Sequence, residues 1–557
     1  MPTASVSSGF VPNNPMGTEL RYRFARLARF LGFYGSLIGG PRPGAPMRTA
    51  SDPWPGDPAI GRSIISGRLV FDGVTLTAAD NPWTVDGASQ VWLRAAHSFE
   101  WLRDLAAAGG EDAEQTAQSL LAAWLAADAV RKPASDPIAW SAGVTGRRVR
   151  AWLYHWRLLT DGASFDLKNR LMDALGRHIR HLGFVAGIEG AGRDRLSGLI
   201  GLVQGSLMLT AFESRLPKAV AALERELSFS ILPDGCHATR SPRMQFEAMR
   251  DTVGLRDLFQ ELHQEVPLGL VTAIDRMAPV LRFFRHGDGK LALFHDSREG
   301  DAEEIDSLLG QADARGRAPI RCPHGGFERL IAGKLNVLID AGAPPNAPYD
   351  SLAHAAPLAM EVSYGTERLI VNCGASRVAE GDWARAQRST AAHSTLGVED
   401  TNADEIGPDG RIGRRRASTV VERNEADGAV WIEMSHDGYK KPFGLTHTRR
   451  VYLASEGSDL RGEDRLEGGE GHPFTLRFHL HPKVQVSLLA NQSSALLKTP
   501  NGSGWRFRAA GGSMSLTDSV YLGGPQDSKR TQQILITGVT GPDGSAIKWA
   551  LQRESKR

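Results

Sequence analysis

Histidines and their neighbours are the first candidates for chemistry in this chain of 557 residues. The chain has 16 histidines, and eight of them fall between His324 and His481. In the segment RFHLHP, strand alternation places Arg477, His479 and His481 on one face. Such a face can bind an acidic ligand, or it can be the solvated face of a surface strand. The sequence leaves both interpretations open.

Three more segments carry histidine or tyrosine at predicted strand ends or in loops. They are SLAHAAPLAMEVS with His354, STAAHSTL with His393, and the stretch from HDGY to LTHTRR with His436, Tyr439, His447, Arg449 and Arg450. Each side chain taken alone fits a structural role. Because loops on one edge of a sandwich converge, the three segments together predict one cleft.

A fourth candidate is the corner ILPDGCHATRSPRMQF. Asp234 and the following glycine form a turn, and Ser241 with Pro242 is typical of a helix start. His237 and Arg240 lie between the turn and the cap, where a loop can present them to a ligand. The structural alternative is that Arg240 pairs with a local carboxylate.

The elements that position these residues follow from composition and periodicity. Hydrophobic residues make up 41% and charged residues 23%, which predicts a soluble globular protein of two or three domains. Apolar residues recur at three-to-four spacing from about 91 to 285, and period-two alternation dominates after about 320. The order predicts the α+β class, with helical hairpins first and an antiparallel sandwich after them.

Composition and the usual motifs exclude several function classes. Lys and Arg number 65 against 63 Asp and Glu, so there is no overall basic excess to hold nucleic acid. Three cysteines without C-x-x-C spacing do not form a disulfide framework or a zinc finger. No P-loop, H-E-x-x-H or G-x-S-x-G motif is present.

Membrane and export segments are also not evident. No run reaches the roughly 18 apolar residues of a membrane span. The N-terminus lacks the basic start and apolar run of a signal peptide. Phe24, Leu27 and Phe30 instead predict an amphipathic helix, with a late-starting signal as the alternative.

Taken together, the corner LPDGxH…SP, the HAxxLxxEVS and LIVNCG segments, AHST, and the HDGY to RFHLHP series resemble the heparinase II/III family of polysaccharide lyases. The resemblance runs from about 90 to 555. It implies an N-terminal incomplete (α/α) toroid of helical hairpins followed by a C-terminal antiparallel β-sandwich. The domains expected are a lead-in over 1–90, the toroid over 91–285, a connecting segment over 286–319 and the sandwich over 320–557.

The resemblance also implies a reaction, the β-elimination of an acidic, uronate-containing polysaccharide such as a glycosaminoglycan. The substrate carboxylate must be neutralised, a base must take the C5 proton, and an acid must protonate the leaving oxygen. The residues implied for proton transfer are His393, Tyr439 and His354; those implied for substrate binding are His237, Arg240, His447 and His479. The chemistry requires no cofactor, but a zinc or other divalent metal site is implied at His354, Asn372 and His393.

The sequence departs from the family at positions that matter. Where active relatives have a tyrosine two residues after Ser-Pro, this chain has Met244. Where relatives read His-x-His-x-Asp, the positions here are Leu352, His354 and Ala356. The metal aspartate is replaced by Asn372.

Two functions from different classes are therefore carried forward. The retained histidines favour a divergent lyase, and the lost tyrosine favours an alternative, a catalytically impaired protein that still binds an acidic polysaccharide. A glycoside hydrolase would need a carboxylate pair, and none can be singled out. The resemblance places the protein in the cell envelope or periplasm, with the cytoplasm as the alternative because no export signal is evident.

Overall fold

The computed structural model describes residues 34–71, 74–77, 83, 88–127, 136–190, 192–376, 381–408, 410–413, 419–524 and 528–554. The predicted helix with Phe24, Leu27 and Phe30 lies outside the described residues. Within the described part, no helix is long and apolar enough to cross a membrane.

The chain divides into two compact units between Glu226 and Leu227. The first unit is helical apart from the hairpin of β1 (Arg68–Phe71) and β2 (Val74–Thr77). Its helices are α1 Tyr34–Leu37, α2 Pro58–Ile65, α3 Gln90–Ser98, α4 Leu102–Ala108, α5 Glu111–Ala126, α6 Ala142–Tyr154, α7 Trp156–Thr160, α8 Phe165–Val185, α9 Arg193–Met208, a 3-10 turn Thr210–Arg215, and α10 Leu216–Ser230, which continues into the second unit.

Apolar residues at three-to-four spacing form buried helix faces in this unit, as the sequence predicts. Helix α8 begins at the Ser164 cap, whose side chain accepts a hydrogen bond from the Leu167 backbone amide. The predicted apolar face of α8 is buried, with Leu171, Leu175 and Ile179 fully enclosed. Burying such a stripe stabilises the helix more than its intrinsic propensity does.

The second unit begins with helices and continues as strands. Its helices are α11 Pro242–Glu261, α12 Leu268–Phe283, α13 Ala302–Gln311, α14 Gly381–Ala386 and α15 Lys440–Phe443, with 3-10 turns at Tyr349–Leu352 and Thr390–Ala392. Its strands are β3 Arg321–Cys322, β4 Phe327–Ala332, β5 Leu335–Asp340, β6 Met360–Tyr364, β7 Glu367–Val371, β8 Leu396–Val398, β9 Thr419–Ala426, β10 Ala429–His436, β11 Thr446–Leu453, β12 Asp459–Glu467, β13 Pro473–Leu480, β14 Gln485–Leu488, β15 Ser494–Lys498, β16 Gly504–Ala510, β17 Ser513–Tyr521, β18 Lys529–Val539 and β19 Ser545–Arg553.

These strands form two antiparallel sheets. Among the described residues, one sheet has eight strands in the order β14-β15-β16-β19-β12-β11-β10-β9. The other runs β17-β18-β13-β7-β6-β5-β4-β3, with β8 paired to β13. Alternate residues of both sheets enter one apolar core, for example Ile432 and Val451 from one sheet and Phe478 and Val337 from the other. The α+β class predicted from the sequence is confirmed, while the predicted domain boundaries at 90, 285 and 319 remain a prediction.

The start of helix α11 follows the predicted capping pattern. Ser241 is the N-cap, its side chain accepts from the Met244 backbone amide, and Pro242 occupies the first turn. Ser241→Ala is expected to lower the free energy of unfolding by about 1 kcal/mol, because one backbone donor loses its partner. Denaturant titration measures this change. Ser487→Ala, at an exposed position of β14, is the control and should shift stability by less than about 0.5 kcal/mol; equal effects of the two variants would contradict the capping role.

Candidate functional site

In the corner before α11, the Asp234 carboxylate accepts backbone hydrogen bonds and the side chain of His237 is buried. Asp234 accepts hydrogen bonds from the backbone amides of Cys236 at 3.1 Å and His324 at 2.7 Å. The ring of His237 meets the Thr239 hydroxyl through Nδ1 at 2.8 Å and packs edge-on against Tyr349. Burial lowers the pKa of His237 to about 4. His237 is therefore a neutral side chain built into the corner.

Arg240 is buried at the same corner. Its Nε donates to the carbonyl oxygen of Gly325 at 2.6 Å and its Nη1 to that of Ala343 at 2.9 Å. Its Nη2 forms an ion pair with the fully buried Asp340. A Cβ on Gly342 would lie 2.4 Å from this guanidinium, so only glycine allows the close approach. The sequence offered two roles for Arg240, binding a ligand or pairing with a carboxylate. The ion pair with Asp340 agrees with the second.

From Asp340 the contacts continue through three histidines. His295 Nε2 lies 3.2 Å from the Asp340 carboxylate. The backbone amide of His354 donates to His295 Nδ1 at 3.1 Å, and His354 Nδ1 lies 3.1 Å from His393 Nε2. We call Arg240, Asp340, His295, His354 and His393 the histidine–arginine cluster. Asp340 and His295 thus connect Arg240 to His354 and His393 within the second unit.

The hydrogen bonds of the cluster assign its proton positions. His393 Nδ1 lies 2.7 Å from the Ser389 carbonyl oxygen, so this nitrogen carries the proton and Nε2 accepts. His354 Nδ1 must then be the donor to His393 Nε2, which leaves His354 Nε2 unprotonated. His295 Nδ1 accepts from a backbone amide, so its proton lies on Nε2, toward Asp340.

Burial keeps the two central histidines neutral. Desolvation lowers the pKa of His354 well below its usual value and that of His393 to about 4. An unfolded histidine titrates near pH ~6.5, so below that pH the unfolded chain binds more protons than the folded one. These histidines therefore reduce stability as the pH falls from about 6.5 toward their folded pKa values.

Other predicted residues lie in a second network between the sheets. His447 Nε2 and Arg449 Nε each lie 2.8 Å from Asp464 Oδ1, and His436 Nε2 lies 3.0 Å from His447 Nδ1. The Tyr439 hydroxyl donates to the Leu396 carbonyl oxygen at 3.1 Å, and the side chain is fully buried. We call this set the inter-sheet network. Tyr439 and His447, predicted as catalytic and substrate-binding residues, are part of this interior.

His479 is buried, so the interpretation of its strand face as solvated is wrong. Its Nε2 lies 3.0 Å from the Ala391 carbonyl oxygen and its Nδ1 lies 2.8 Å from the Ser519 hydroxyl. Burial lowers the pKa of His479 to about 3. The segment that precedes His393 thus covers this face of β13.

The residues implied for a metal do not fit one. Asn372 uses its side-chain oxygen to accept from the Ser394 amide at 2.9 Å and its nitrogen to donate to Glu361 at 3.2 Å. His393 Nε2 faces His354 rather than an open position. In the described ranges, no group of three or more His, Cys, Asp or Glu residues is arranged to hold a metal ion. A metal at His354, Asn372 and His393 would require these hydrogen bonds to break.

The position that holds a tyrosine in active relatives is buried here and is occupied by Met244. Met244 lies in the first turn of α11 and is 2% exposed. Its thioether has no proton to transfer. Ala356, at the position of the family aspartate, is buried as well. Sequence reasoning missed His295 and Asp340, although each stands at the end of a mostly apolar segment, LALFH and LNVLID.

Comparison with known proteins agrees with this architecture. The family description "Heparinase II/III-like, C-terminal" matches residues 314–550. A solved structure of heparinase III aligns with 98% of this chain and 93% of its own, with a TM-score of 0.71 and 13% identity. Heparan sulfate lyase HepC from Pedobacter heparinus aligns with 97% of this chain and 88% of its own, with a TM-score of 0.60 and 14% identity.

The chain belongs to the heparinase II/III-like family. Among its relatives is FtsZ-localized protein C of Caulobacter vibrioides, which is 32% identical over 542 residues. That match covers 92% of this chain and 91% of the relative. The relative's name refers to FtsZ, not to a lyase reaction.

Proposed function

We propose that this chain is a non-catalytic member of the heparinase II/III-like family that acts by binding and is recruited to FtsZ. One observation carries the loss of chemistry: Arg240, the cation of the histidine–arginine cluster, is buried and paired with Asp340. Recruitment is supported by the full-length similarity to FtsZ-localized protein C.

β-Elimination makes demands that this cluster does not meet. Neutralising a uronate requires a cation or hydrogen-bond donors that face the substrate. Arg240 is instead engaged by Asp340 and by two backbone carbonyl oxygens, and it is 4% exposed. The proton-transferring hydroxyl is replaced by the Met244 thioether. Both the carboxylate-neutralising and the acid–base roles therefore lack a residue at the family positions.

Recruitment to FtsZ also bears on location. A protein that binds FtsZ must share its compartment, which favours the cytoplasmic alternative over the cell envelope. Recruitment to FtsZ also makes a protein, instead of an acidic polysaccharide, the principal partner of this chain. Both statements rest on the relative's name and on the similarity of the two chains.

Co-sedimentation with polymerised FtsZ tests the recruitment. The purified chain is expected to pellet with FtsZ polymers and to stay in the supernatant when nucleotide is withheld and FtsZ is unpolymerised. Heparinase III, with the same fold at 13% identity, is the control and should not pellet. A chain that stays in the supernatant with polymers, or that pellets no more than heparinase III, would contradict the proposal.

A second candidate, lyase activity on an acidic polysaccharide, is favoured by one observation. His354 Nε2 is left unprotonated by the hydrogen bonds of the cluster and could accept a proton. In that case His393→Ala would lower turnover by about 100-fold, the scale of a general acid–base group. Turnover that is measurable but insensitive to His393→Ala would exclude this arrangement.

A further inference from the structure

A groove lies on the outer face of the eight-stranded sheet, away from the sandwich core. Its volume is about 500 Å³, within the range of ligand pockets. It is lined by residues from β10, β11, β12, β16 and β19: Trp431, Arg450, Tyr452, Arg461, Gly462, Glu463, Arg508, Ala509, Ala510, Lys548, Trp549 and Ala550. None of these belongs to the histidine–arginine cluster.

Strand register explains why these residues form one surface. Residues that face each other across antiparallel strands share a side of the sheet. One row across the sheet is Trp431, Tyr452, Arg461, Ala550 and Arg508. The next row is Glu433, Arg450, Glu463, Lys548 and Ala510. The long side chains stand at the sides of the groove, and the alanines leave its floor low.

Gly462 lies in β12 opposite Trp549, and its missing side chain leaves room for the Trp549 ring on the core side of the sheet. A Cβ on Gly462 would lie 2.1 Å from the Trp549 ring, so the ring packs directly beneath the strand. Trp549 is fixed there by its Nε1, which donates to Asp464 at 2.8 Å. The groove is therefore apolar and rigid at its base.

Two of the cations at the groove are available for a ligand. Arg450 is paired with Glu433 and Glu463, and Arg461 with Asp459. Lys548 is 73% exposed and lies 3.8 Å from Glu463, a weak contact. Arg508 is exposed and has no ion pair within the described part of the chain. Arg508 and Lys548, on the neighbouring strands β16 and β19, thus supply positive charge at one end of the groove, and Trp431 and Tyr452, on β10 and β11, lie at the other.

The polar groups of the groove favour a peptide over a sugar. A sugar presents many hydroxyl groups, which need acceptors as well as donors. Glu463, the carboxylate of the described lining, is already engaged by Arg450 and Arg465. Carboxylates need only donors, and arginine matches their geometry with two parallel hydrogen bonds. The alanine floor and Trp431 suit an apolar side chain.

We infer that this groove is a binding site for an acidic peptide segment that carries an apolar side chain. The acidic side chains pair with Arg508 and Lys548, and the apolar side chain packs on Trp431 and Tyr452. The inference goes beyond recruitment to FtsZ and does not depend on it, since the groove is built whether or not FtsZ is the partner.

Fluorescence anisotropy with a labelled glutamate-rich peptide carrying one central phenylalanine tests the site. The double variant Arg508→Glu/Lys548→Glu should weaken binding at least about ten-fold, the scale of a charge-assisted hydrogen bond. Trp431→Ala should weaken it by a similar factor. Arg530→Glu, at an arginine 81% exposed on the other sheet, is the matched control and should leave binding unchanged.

Three results would overturn the inference. They are no binding of the peptide by the unaltered chain, equal binding by the double variant and the Arg530→Glu control, or equal binding of a peptide with glutamine in place of glutamate. A heparin oligosaccharide that binds more tightly than the peptide, and depends on Arg508 and Lys548, would assign the groove to a glycan instead. Because Arg508, Lys548 and Arg530 are solvent-exposed, unchanged circular dichroism and thermal midpoints are expected for the charge variants. This binding assay contains no FtsZ, so its outcome is separate from that of co-sedimentation.

Discussion

Asp464→Ala is expected to lower the free energy of unfolding by about 3–5 kcal/mol. The carboxylate is fully buried and accepts hydrogen bonds from His447, Arg449 and Trp549, each at 2.8 Å. Its removal leaves the guanidinium of Arg449 uncompensated in the core between the sheets. Guanidinium titration with tryptophan fluorescence measures the change.

The neighbouring Glu463→Ala is the matched control for Asp464→Ala. Glu463 is 20% exposed and faces the outer side of the same strand. Its loss should cost no more than about 1 kcal/mol, as for exposed ion pairs. Equal costs for the two variants would show that the inter-sheet network does not stabilise the sandwich.

The same carboxylate gives a pH dependence. Burial raises the pKa of Asp464, but Arg449 and His447 outweigh it and the pKa falls to about 2. An unfolded aspartate titrates near pH ~3.9. The stabilisation is therefore complete above that value and is lost as the pH falls through the folded pKa. The difference in stability between the unaltered chain and Asp464→Ala should shrink over this acid range.

Arg240→Met is the second variant with a large expected effect, about 3–5 kcal/mol of unfolding free energy. It removes the cation that pairs with the fully buried Asp340 and the donors for the Gly325 and Ala343 carbonyl oxygens. It also removes the guanidinium that lies 4.7 Å from the centre of the Phe327 ring. Denaturant titration checks the loss.

A double variant and a surface control separate the charge from the packing. Adding Asp340→Leu to Arg240→Met should recover part of the lost stability, because no unpaired carboxylate then remains in the core. Arg530→Met removes an exposed pair with Asp518 and should cost less than about 1 kcal/mol. If Arg240→Met costs as little as Arg530→Met, Arg240 is not a structural residue and a substrate-facing role is restored.

The parts of the fold that depend on local pattern could be predicted. The face of α8 and the cap at Ser241 follow from spacing and side-chain chemistry within a few residues. The proximity of His354 and His393 followed from the convergence of loops in a sandwich. The change from helices to strands near 320 was visible because the period of apolar residues changes from 3.6 to two.

The parts of the structure that depend on which segment covers a surface could not be predicted from the sequence. Alternation places His479 and Arg477 on one face but does not tell which segment packs on it; here Ala391 does so. The HDGY turn has the composition of an exposed loop, yet Gly438 approaches the Ala403 backbone oxygen so closely that a Cβ would lie 2.8 Å from it. Tyr439 is buried by that contact between segments distant in sequence. Nothing in the local sequence indicates that Asp340 pairs with Arg240 and His295, which are distant from it in the chain.

The central claim is that this chain is a non-catalytic member of its family and does not cleave polysaccharides. Absorbance of the unsaturated product of β-elimination tests this claim most directly. The unaltered protein and Met244→Tyr are incubated with a panel of uronate-containing polysaccharides, with heparinase III as the positive control. No rise in ultraviolet absorbance is expected from the unaltered chain, because Arg240 is held by Asp340 and the family hydroxyl is absent. A steady rise from the unaltered chain, abolished by His393→Ala, would contradict the account and establish a lyase.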